Sequence, residues 1–240
     1  MPKHATVESP LAVNSDVWAG MFRWLRKKGA VRKYPDEIVV AWLLGYARTR
    51  HRVKRVLDVG CGFSQSAGVF LDQGFQYWGV DVTRAGLLSE KQLKKKGWAG
   101  RVHLSLFEPP QLTFPDRMFS HVISMEALHL NSTSEAMRTI ISEVHRVLKP
   151  GGRFLATVVR PDYWFIDQGY VDWLSPEVIR VNERHIEKER IGATYFVFQD
   201  ETHIRQYFSP FARCWIGQYT RVFGEENHKY LSYWIISAEK

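Results

Sequence analysis

The sequence predicts an α/β protein built on a doubly wound, mostly parallel sheet, and three observations support this. An apolar strand at residues 55–59 ends in a glycine-rich turn, Gly60-Cys61-Gly62. Strand and helix patterns then alternate as far as residue 159. Acidic and polar residues follow the predicted strands at their carboxyl ends. Alternating strands and helices are typical of a parallel sheet with helices on both faces.

Two helices are predicted before the sheet. Residues 1–16 are polar and expected to be mobile. Helical spacing of Val17, Trp18, Met21 and Phe22 predicts a helix from Asp16 to Gly29. A second helix is predicted after Tyr34-Pro35, because acids in a first turn complement the helix dipole. We expect residues 1–34 to form a helical lid segment, although an aromatic stripe more often reflects core packing.

The remaining elements divide into the sheet, an insertion and a closing unit, all within one domain of residues 35–240. Residues 160–195, here called the cap insertion, follow the fifth strand and are expected to form a helical cap or an aromatic-packed loop. An antiparallel pair at 214–217 and 230–238 closes the sheet as its sixth and seventh strands. The predicted elements are strands 55–59, 76–80, 101–106, 119–125 and 152–159, and helices 64–73, 84–96, 132–148 and 200–207.

The carboxyl ends of the strands identify the candidate site, because ligands of such sheets bind there. Strand-end residues from distant parts of the chain are expected to meet at one edge. They are Asp58 to Gly62, Asp81, Phe107-Glu108-Pro109 and Met125 to His129.

The residues at this edge also restrict the ligand. Gln65 occupies the position of the third glycine of a dinucleotide fingerprint, so that fingerprint is not met. Asp58 would repel a pyrophosphate but suits a cationic amino group. Asp81 has about the twenty-residue spacing expected of a ribose-binding carboxylate. A ribose with an amino acid and no pyrophosphate indicates S-adenosylmethionine; the alternative is that Asp58 and Asp81 only cap helices.

Composition sets broader limits on the protein. The chain of 240 residues has 45% hydrophobic and 24% charged residues, two cysteines and a net charge of +8. We expect a cytoplasmic protein, because no apolar run spans a bilayer and no secretory signal precedes residue 35. The basic residues cluster at 23–33, 48–55 and 91–96. Such clusters indicate nucleic acid, an anionic membrane, an acidic substrate or simply a solvated face.

Four motifs now carry a family resemblance. They are Val56-Leu57-Asp58-Val59-Gly60-Cys61-Gly62, Gly79-Val80-Asp81, Leu112-Thr113-Phe114-Pro115-Asp116 and the run from Glu143 to Gly152. In order and spacing, residues 35–160 resemble class I S-adenosylmethionine-dependent methyltransferases with a methyltransferase type 11 domain. The resemblance implies a Rossmann-like methyltransferase fold with S-adenosylmethionine as cofactor. The region after residue 198 is similar to a subgroup of uncharacterised bacterial methyltransferases.

The resemblance also implies roles for individual residues. Asp58 and the glycine turn would bind the methionine part, Asp81 the ribose, and Glu108 the adenine. Three positions depart from the family: Ser64 replaces a glycine, and Glu108 and Ser120 replace aspartates. The full predicted cofactor set is Asp58, Gly60, Cys61, Gly62, Asp81, Val82, Glu108, Pro109, Met125 and His129.

Methyl transfer to an oxygen acceptor also needs a base. The candidates at the edge are His129 and Glu126, with His185 and His203 as further candidates from the cap. No Asn-Pro-Pro-Tyr signature follows the fourth strand, which favours a small-molecule, sugar or lipid acceptor. An RNA methyltransferase and a non-catalytic S-adenosylmethionine-binding module are the alternatives, and no metal site is expected.

Overall fold

A computed structural model describes residues 10–49, 51–185, 187–223 and 229–240, and it confirms the predicted α/β fold. The main sheet has seven strands in the order β3-β2-β1-β4-β5-β10-β9. Strands β1 to β5 are parallel, whereas β10 pairs antiparallel with both β5 and β9. Its strands are β1 Arg55–Val59, β2 Gln76–Asp81, β3 Val102–Leu106, β4 Phe119–Met125, β5 Leu148–Val159, β9 Arg213–Phe223 and β10 Lys229–Glu239.

The central strands form because their side chains are apolar on both faces, as a sheet covered by helices requires. In β1, Leu57 is fully buried and lies in register with Trp78 on one side and Val122 on the other. Ser120 opens β4, where an aspartate was expected by resemblance. Its hydroxyl donates to the carbonyl of Arg55 at 3.0 Å and accepts from the Arg55 N–H at 3.2 Å, which ties β4 to β1.

The helices agree with prediction best where capping and apolar periodicity coincide. In α5, Thr133 caps the Ala136 N–H, and Ile140, Ile141 and Val144 face the sheet. The seven α-helices of the described residues are α1 Pro10–Lys28, α2 Glu37–Ala41, α3 Ala67–Asp72, α4 Glu90–Lys95, α5 Ser134–Val147, α6 Trp164–Asp167 and α7 Glu201–Tyr207.

Three predicted helices have different bounds. The predicted helix 64–73 is shortened to α3, because turns precede Ala67. The predicted helix 84–96 is shortened to α4, because Ser89 and Gln92 form a capping box there. Helix α1 begins at Pro10, so residues 10–16, which were predicted to be mobile, are helical; residues 1–9 lie outside the described residues.

The cap insertion differs from the expected helical cap. Apart from the single turn of α6, it forms a three-stranded antiparallel sheet of β6 Val171–Ser175, β7 Val178–Val181 and β8 Thr194–Phe196. The β-branched residues of β7 explain the strand, since they pack well on a pleated surface. Buried aromatic side chains join this small sheet to the ends of β5 and β10; they include Tyr163, Trp164, Phe165, Tyr195 and Tyr233.

Candidate active site

A cavity of about 380 Å³ lies at the carboxyl ends of β1, β2 and β4, where the sequence predicts the site. Helix α1 and residues 187–190 of the cap insertion complete its walls. The predicted residues that line it are Gly60, Cys61, Gly62, Asp81, Val82, Pro109, Met125 and Glu126. The structure therefore brings most of the predicted residues together.

The glycine turn forms the floor of the cavity. The N–H groups of Gly60 and Cys61 both donate to the carbonyl of Val80, at 2.8 and 3.0 Å, which holds the turn against β2. Gly60 has φ +79°, and a Cβ there would stand 2.2 Å from the Cβ of Ala127. A side chain at this position is excluded by both the backbone and the packing. Ser64, which replaces the third glycine, also has a positive φ of 54°.

Asp81 links the end of β2 to the glycine turn. Its carboxylate accepts from the Gly62 N–H at 2.9 Å and from the Thr83 N–H at 3.2 Å. Burial raises the pKa of this carboxyl to about 6, while the hydrogen bonds from Gly62 and Thr83 act to lower it. A buried carboxylate held in place by backbone groups can accept further hydrogen bonds from a diol.

Asp58 is not among the residues that line the cavity, and its contact with a cationic amino group stays a prediction. Its carboxylate is buried below the turn and accepts a hydrogen bond from the Tyr77 hydroxyl at 2.5 Å. Burial raises the pKa of Asp58 to about 7, against the lowering effect of the Tyr77 hydroxyl, and nearby Asp81 raises it further. Asp58 therefore supports the turn from below.

Glu108 and His129 also lie outside the cavity walls. Glu108 is exposed, and its neighbours Phe107 and Pro109 line the cavity in its place. His129 is buried in a short 3₁₀ turn, Leu128–Leu130, where its Nδ1 accepts from the Val159 N–H at 3.4 Å and its ring packs on Tyr195. Burial lowers the pKa of His129 to about 3. This placement gives His129 no contact with the cavity as a base or as part of the cofactor floor.

Glu126 is the predicted catalytic residue that reaches the cavity. It follows β4 with a φ of +55°, a conformation that is uncommon outside glycine. Its carboxylate accepts from the Tyr233 hydroxyl at 3.0 Å and pairs with Arg32 at 3.4 Å. The Tyr233 hydroxyl in turn lies 3.1 Å from that of Tyr163. A carboxylate that is aimed and partly shielded in this way can accept a proton from a bound acceptor.

Sequence reasoning predicted a lid and a cap, but it missed the individual residues by which they line the cavity. Trp18, Phe22 and Leu25 of α1 face the cavity, as do Glu187 and Arg190 of the cap insertion. The signal was present in the aromatic stripe of α1, which was weighed mainly as core packing. Nothing in the sequence of residues 187–190 shows that the chain returns to the sheet edge there.

Asn14 locks α1 in this position. Its side-chain amide donates to the carbonyls of Leu130 and Thr194, each at 3.0 Å, and its oxygen accepts from the Thr194 N–H at 2.8 Å. Lower on the helix, Arg26 donates to the carbonyls of Ala85 and Leu87 at 3.2 and 3.0 Å. The helix is thereby joined to the cap insertion and to the segment after β2.

The two cap histidines proposed as bases are engaged elsewhere. His185 is buried among Trp164, Phe165 and Tyr170. His203 pairs with Glu177 at 2.8 Å. Across the described ranges, no three His, Cys, Asp or Glu side chains are grouped so that they could hold a metal ion. Over those same ranges, no helix has the length and apolarity to cross a membrane.

The sheet order, the glycine turn and the acid at the end of β2 together define a Rossmann-like nucleoside-binding protein of the methyltransferase type. Residues 57–156 match the family model described as a methyltransferase domain. These residues therefore form a methyltransferase domain of the class I S-adenosylmethionine-dependent family, as the sequence motifs predicted.

Curated relatives match this region. Over 113 residues the chain is 34% identical to the fatty-acid O-methyltransferase of Mycolicibacterium smegmatis. This alignment covers 46% of this chain and 39% of the relative. Over 124 residues it is 32% identical to the phthiotriol/phenolphthiotriol dimycocerosates methyltransferase of Mycobacterium tuberculosis, covering 49% and 43%. The chain thus spans less than half the length of either relative.

Solved structures share the fold over more of the chain. The 1,6-didemethyltoxoflavin-N1-methyltransferase of Burkholderia thailandensis, crystallised with its substrate and S-adenosylhomocysteine, superposes with a TM-score of 0.65 at 20% identity, covering 100% of this chain and 93% of that one. A SAM-dependent methyltransferase from Methanosarcina mazei gives 0.62 at 16% identity, covering 86% and 98%. At these identities the similarity concerns the fold.

Proposed function

We propose that this chain is an S-adenosylmethionine-dependent methyltransferase that acts on a small-molecule, sugar or lipid acceptor. The observation that carries the proposal is the cavity itself. One end is formed by the glycine turn and Asp81, and the other by Glu126, α1 and the cap insertion. Such a cavity has a cofactor end and an acceptor end within one enclosed space.

The residues at the cofactor end fit S-adenosylmethionine. Gly60 and Gly62 line the cavity with bare backbone, and Asp81 offers a buried carboxylate for the ribose hydroxyls. Phe107 and Pro109 provide an apolar wall for the adenine ring. When bound, the cofactor supplies an electrophilic sulfonium methyl group. The residues around it hold donor and acceptor in line and exclude water, and that positioning contributes much of the rate.

At the acceptor end, we assign Glu126 as the general base for an acceptor that must lose a proton. Its carboxylate lines the cavity and is held by Tyr233 and Arg32. Trp18, Met21 and Leu25 give the same end an apolar wall, which suits an acceptor with an apolar body. One of the two relatives above is named for a fatty-acid acceptor and the other for phthiotriol/phenolphthiotriol dimycocerosates, and the fatty-acid name supports a lipid or another amphiphile as the acceptor.

The fold by itself does not determine the reaction, because one solved neighbour, with a TM-score of 0.54, is a [4+2]-cyclase. Only the formation of a methylated product therefore distinguishes an enzyme from a non-catalytic binding module.

An RNA acceptor is supported by the basic surface alone. A cytoplasmic location stays a prediction from the sequence.

Isothermal titration calorimetry tests the cofactor. We expect S-adenosylmethionine and S-adenosylhomocysteine to bind and NAD to give no heat, since the turn lacks the third glycine of a dinucleotide site. Binding of NAD alone would refute the proposal.

An assay of methyl transfer from radiolabelled S-adenosylmethionine tests the activity. We would offer long-chain fatty acids, phenols and RNA, and extract labelled product from each. We expect Glu126→Gln to keep cofactor affinity and to lose turnover with any acceptor that requires deprotonation. Cofactor binding without a methylated product from any acceptor class would favour the non-catalytic module.

A further inference from the structure

One basic cluster of the sequence lies at the rim of the cavity, and only one of its members, Arg32, has a role in the proposed chemistry, through its ion pair with Glu126. Between residues 17 and 35 the chain has six basic residues and no acidic ones. They occupy the end of α1 and the loop that follows it. We call these residues, together with Trp24 and Tyr34, the basic rim: Arg23, Arg26, Lys27, Lys28, Arg32 and Lys33.

The geometry of α1 separates an inner face from an outer face. Residues 18, 21, 22, 24 and 25 line the cavity. Arg23 and Lys27, four residues apart, share the opposite face, and Trp24 and Lys28 lie on the flank between the two faces. Arg23, Lys27 and Lys28 are exposed, and Trp24 lines the cavity while 37% of it stays exposed. The same helix therefore closes the cavity with one side and presents positive charge to solvent with the other.

The basic rim also carries exposed aromatic side chains. Trp24 is 37% exposed and Tyr34 is 79% exposed, although both are large and partly apolar. Trp and Tyr with Lys and Arg are characteristic of surfaces that contact the headgroup region of a bilayer.

Three acids near the basic rim form ion pairs, and Arg32 is the rim residue among their partners; Asp36 and Glu189 also line the cavity. Glu126 pairs with Arg32 at 3.4 Å, Glu187 with Arg190 at 2.6 Å, and Glu37 with Arg221 at 3.7 Å. Ala30, Arg32 and Asp36 line the cavity. The rim therefore surrounds an entrance rather than lying on a remote face.

We infer that the basic rim docks on an anionic lipid bilayer, with the mouth of the cavity facing the membrane surface. The cations supply electrostatic attraction, and Trp24 and Tyr34 insert among the headgroups. Docking in this orientation would let an amphiphilic acceptor pass from the bilayer into the cavity, and this part of the inference rests on the proposed function.

Vesicle flotation with the full chain tests the inference. The probes are vesicles of phosphatidylglycerol and phosphatidylcholine in equal parts, and vesicles of phosphatidylcholine alone. We expect binding to the first and not to the second, and we expect that binding to weaken as salt rises. A triple variant, R23E, K27E and K28E, should lose about 100-fold in binding, because each cation near an anionic surface contributes roughly a fivefold change.

The matched control reverses three cations elsewhere. K91E, K94E and K95E alter α4, which is exposed and does not line the cavity, and they give the same net charge as the rim variant. We expect this control to float as the wild type does, and Tyr34→Ser to float less. The inference would be overturned if both triple variants lost vesicle binding equally, or if the wild type did not float with anionic vesicles. It would also be overturned if the chain bound no vesicles and the rim variant alone lost RNA retention on filters.

Calorimetry with S-adenosylmethionine on the same preparations separates the two proposals. Retained cofactor binding in the rim variant shows that it is folded, because the three replaced side chains are exposed. Flotation without cofactor binding in the wild type would refute the proposed function and leave the docking surface standing. Cofactor binding without flotation would refute only the docking surface.

Discussion

At the scale of single residues, the site depends on two buried aspartates with different tasks. Asp81 faces the cavity and accepts N–H groups from the turn, whereas Asp58 is buried beneath it against Tyr77. The sequence motif predicted both as ligand contacts. It could not distinguish them, because the partners that separate them, the Tyr77 hydroxyl for Asp58 and the Gly62 N–H for Asp81, are set by the folded arrangement of the strands and the turn.

For Asp81→Ala, we expect cofactor affinity to fall by about 1–3 kcal/mol, because the Gly62 N–H loses its buried acceptor along with the ribose contact. Calorimetry with S-adenosylhomocysteine measures the change. Asp72→Ala is the control, because Asp72 is an exposed acid at the end of α3. If Asp81→Ala bound as tightly as the control, the ribose would lie elsewhere.

Asp58 gives a pH prediction. Its pKa in the folded state is raised to about 7 from 3.8. A raised carboxyl pKa means that the folded state holds a proton that the unfolded state releases, so stability falls as pH rises from about 4 through 7. The variant Asp58→Asn removes this loss, and its free energy of unfolding relative to wild type should increase between pH 5 and pH 8.

Urea unfolding of both proteins across this range provides the measurement. Comparison of variant with wild type is needed, because burial lowers the pKa of His121 and His129 and makes their contribution run the opposite way below pH 6.5. Their effects cancel in the difference. Parallel stability curves for the two proteins would show that Asp58 does not titrate in this range.

The packing of the glycine turn can be tested at Gly60. Gly60→Ala should lower the free energy of unfolding more than Gly74→Ala does, although the two glycines have φ angles of 79° and 78°. Both variants suffer the left-handed backbone penalty of about 1–2 kcal/mol. Only Gly60→Ala also places a Cβ against Ala127, which should add roughly 1–3 kcal/mol of overpacking. Equal unfolding midpoints in urea would contradict the packing described for the turn.

At the scale of elements, strands were predicted better than helices and loops. The sequence 119–125 predicts β4 with the bounds observed, and the two serines within it, Ser120 and Ser124, donate their hydroxyls to carbonyls of β1. The predicted helix 84–96 was too long, because Gly86 lies in a turn against the ring of Phe22. That contact comes from α1, far away in the chain, and no local pattern reveals it.

Helix α1 makes a prediction at the same scale. Asn14→Ala removes four hydrogen bonds to Leu130 and Thr194, three of them buried, and we expect α1 to open more readily by about 2–3 kcal/mol. Hydrogen exchange of the amides in residues 17–28 measures this opening. Ser15→Ala is the control, because its hydroxyl makes only a 3.5 Å contact with the Val82 carbonyl. Similar exchange in both variants would mean that Asn14 does not hold the lid.

At the scale of the whole molecule, the parallel sheet, a lid and a cap could be predicted from local patterns, and the residues that enclose the site could not. Cys61, Val82 and Met125 line the cavity because strand ends converge wherever this topology forms. Enclosure comes from α1 and the cap insertion, which reach the sheet edge through contacts between distant residues. His129 was misplaced for the same reason: its short turn faces Tyr195 of the cap.

The most direct measurement for the whole account is a crystal structure with S-adenosylhomocysteine. We expect its density between the glycine turn and Asp81, beneath α1, with the sulfur directed toward Glu126 and the cap insertion. Density bound elsewhere, or a cavity that stays empty at saturating S-adenosylhomocysteine, would contradict the assignment of this edge of the sheet as the cofactor site.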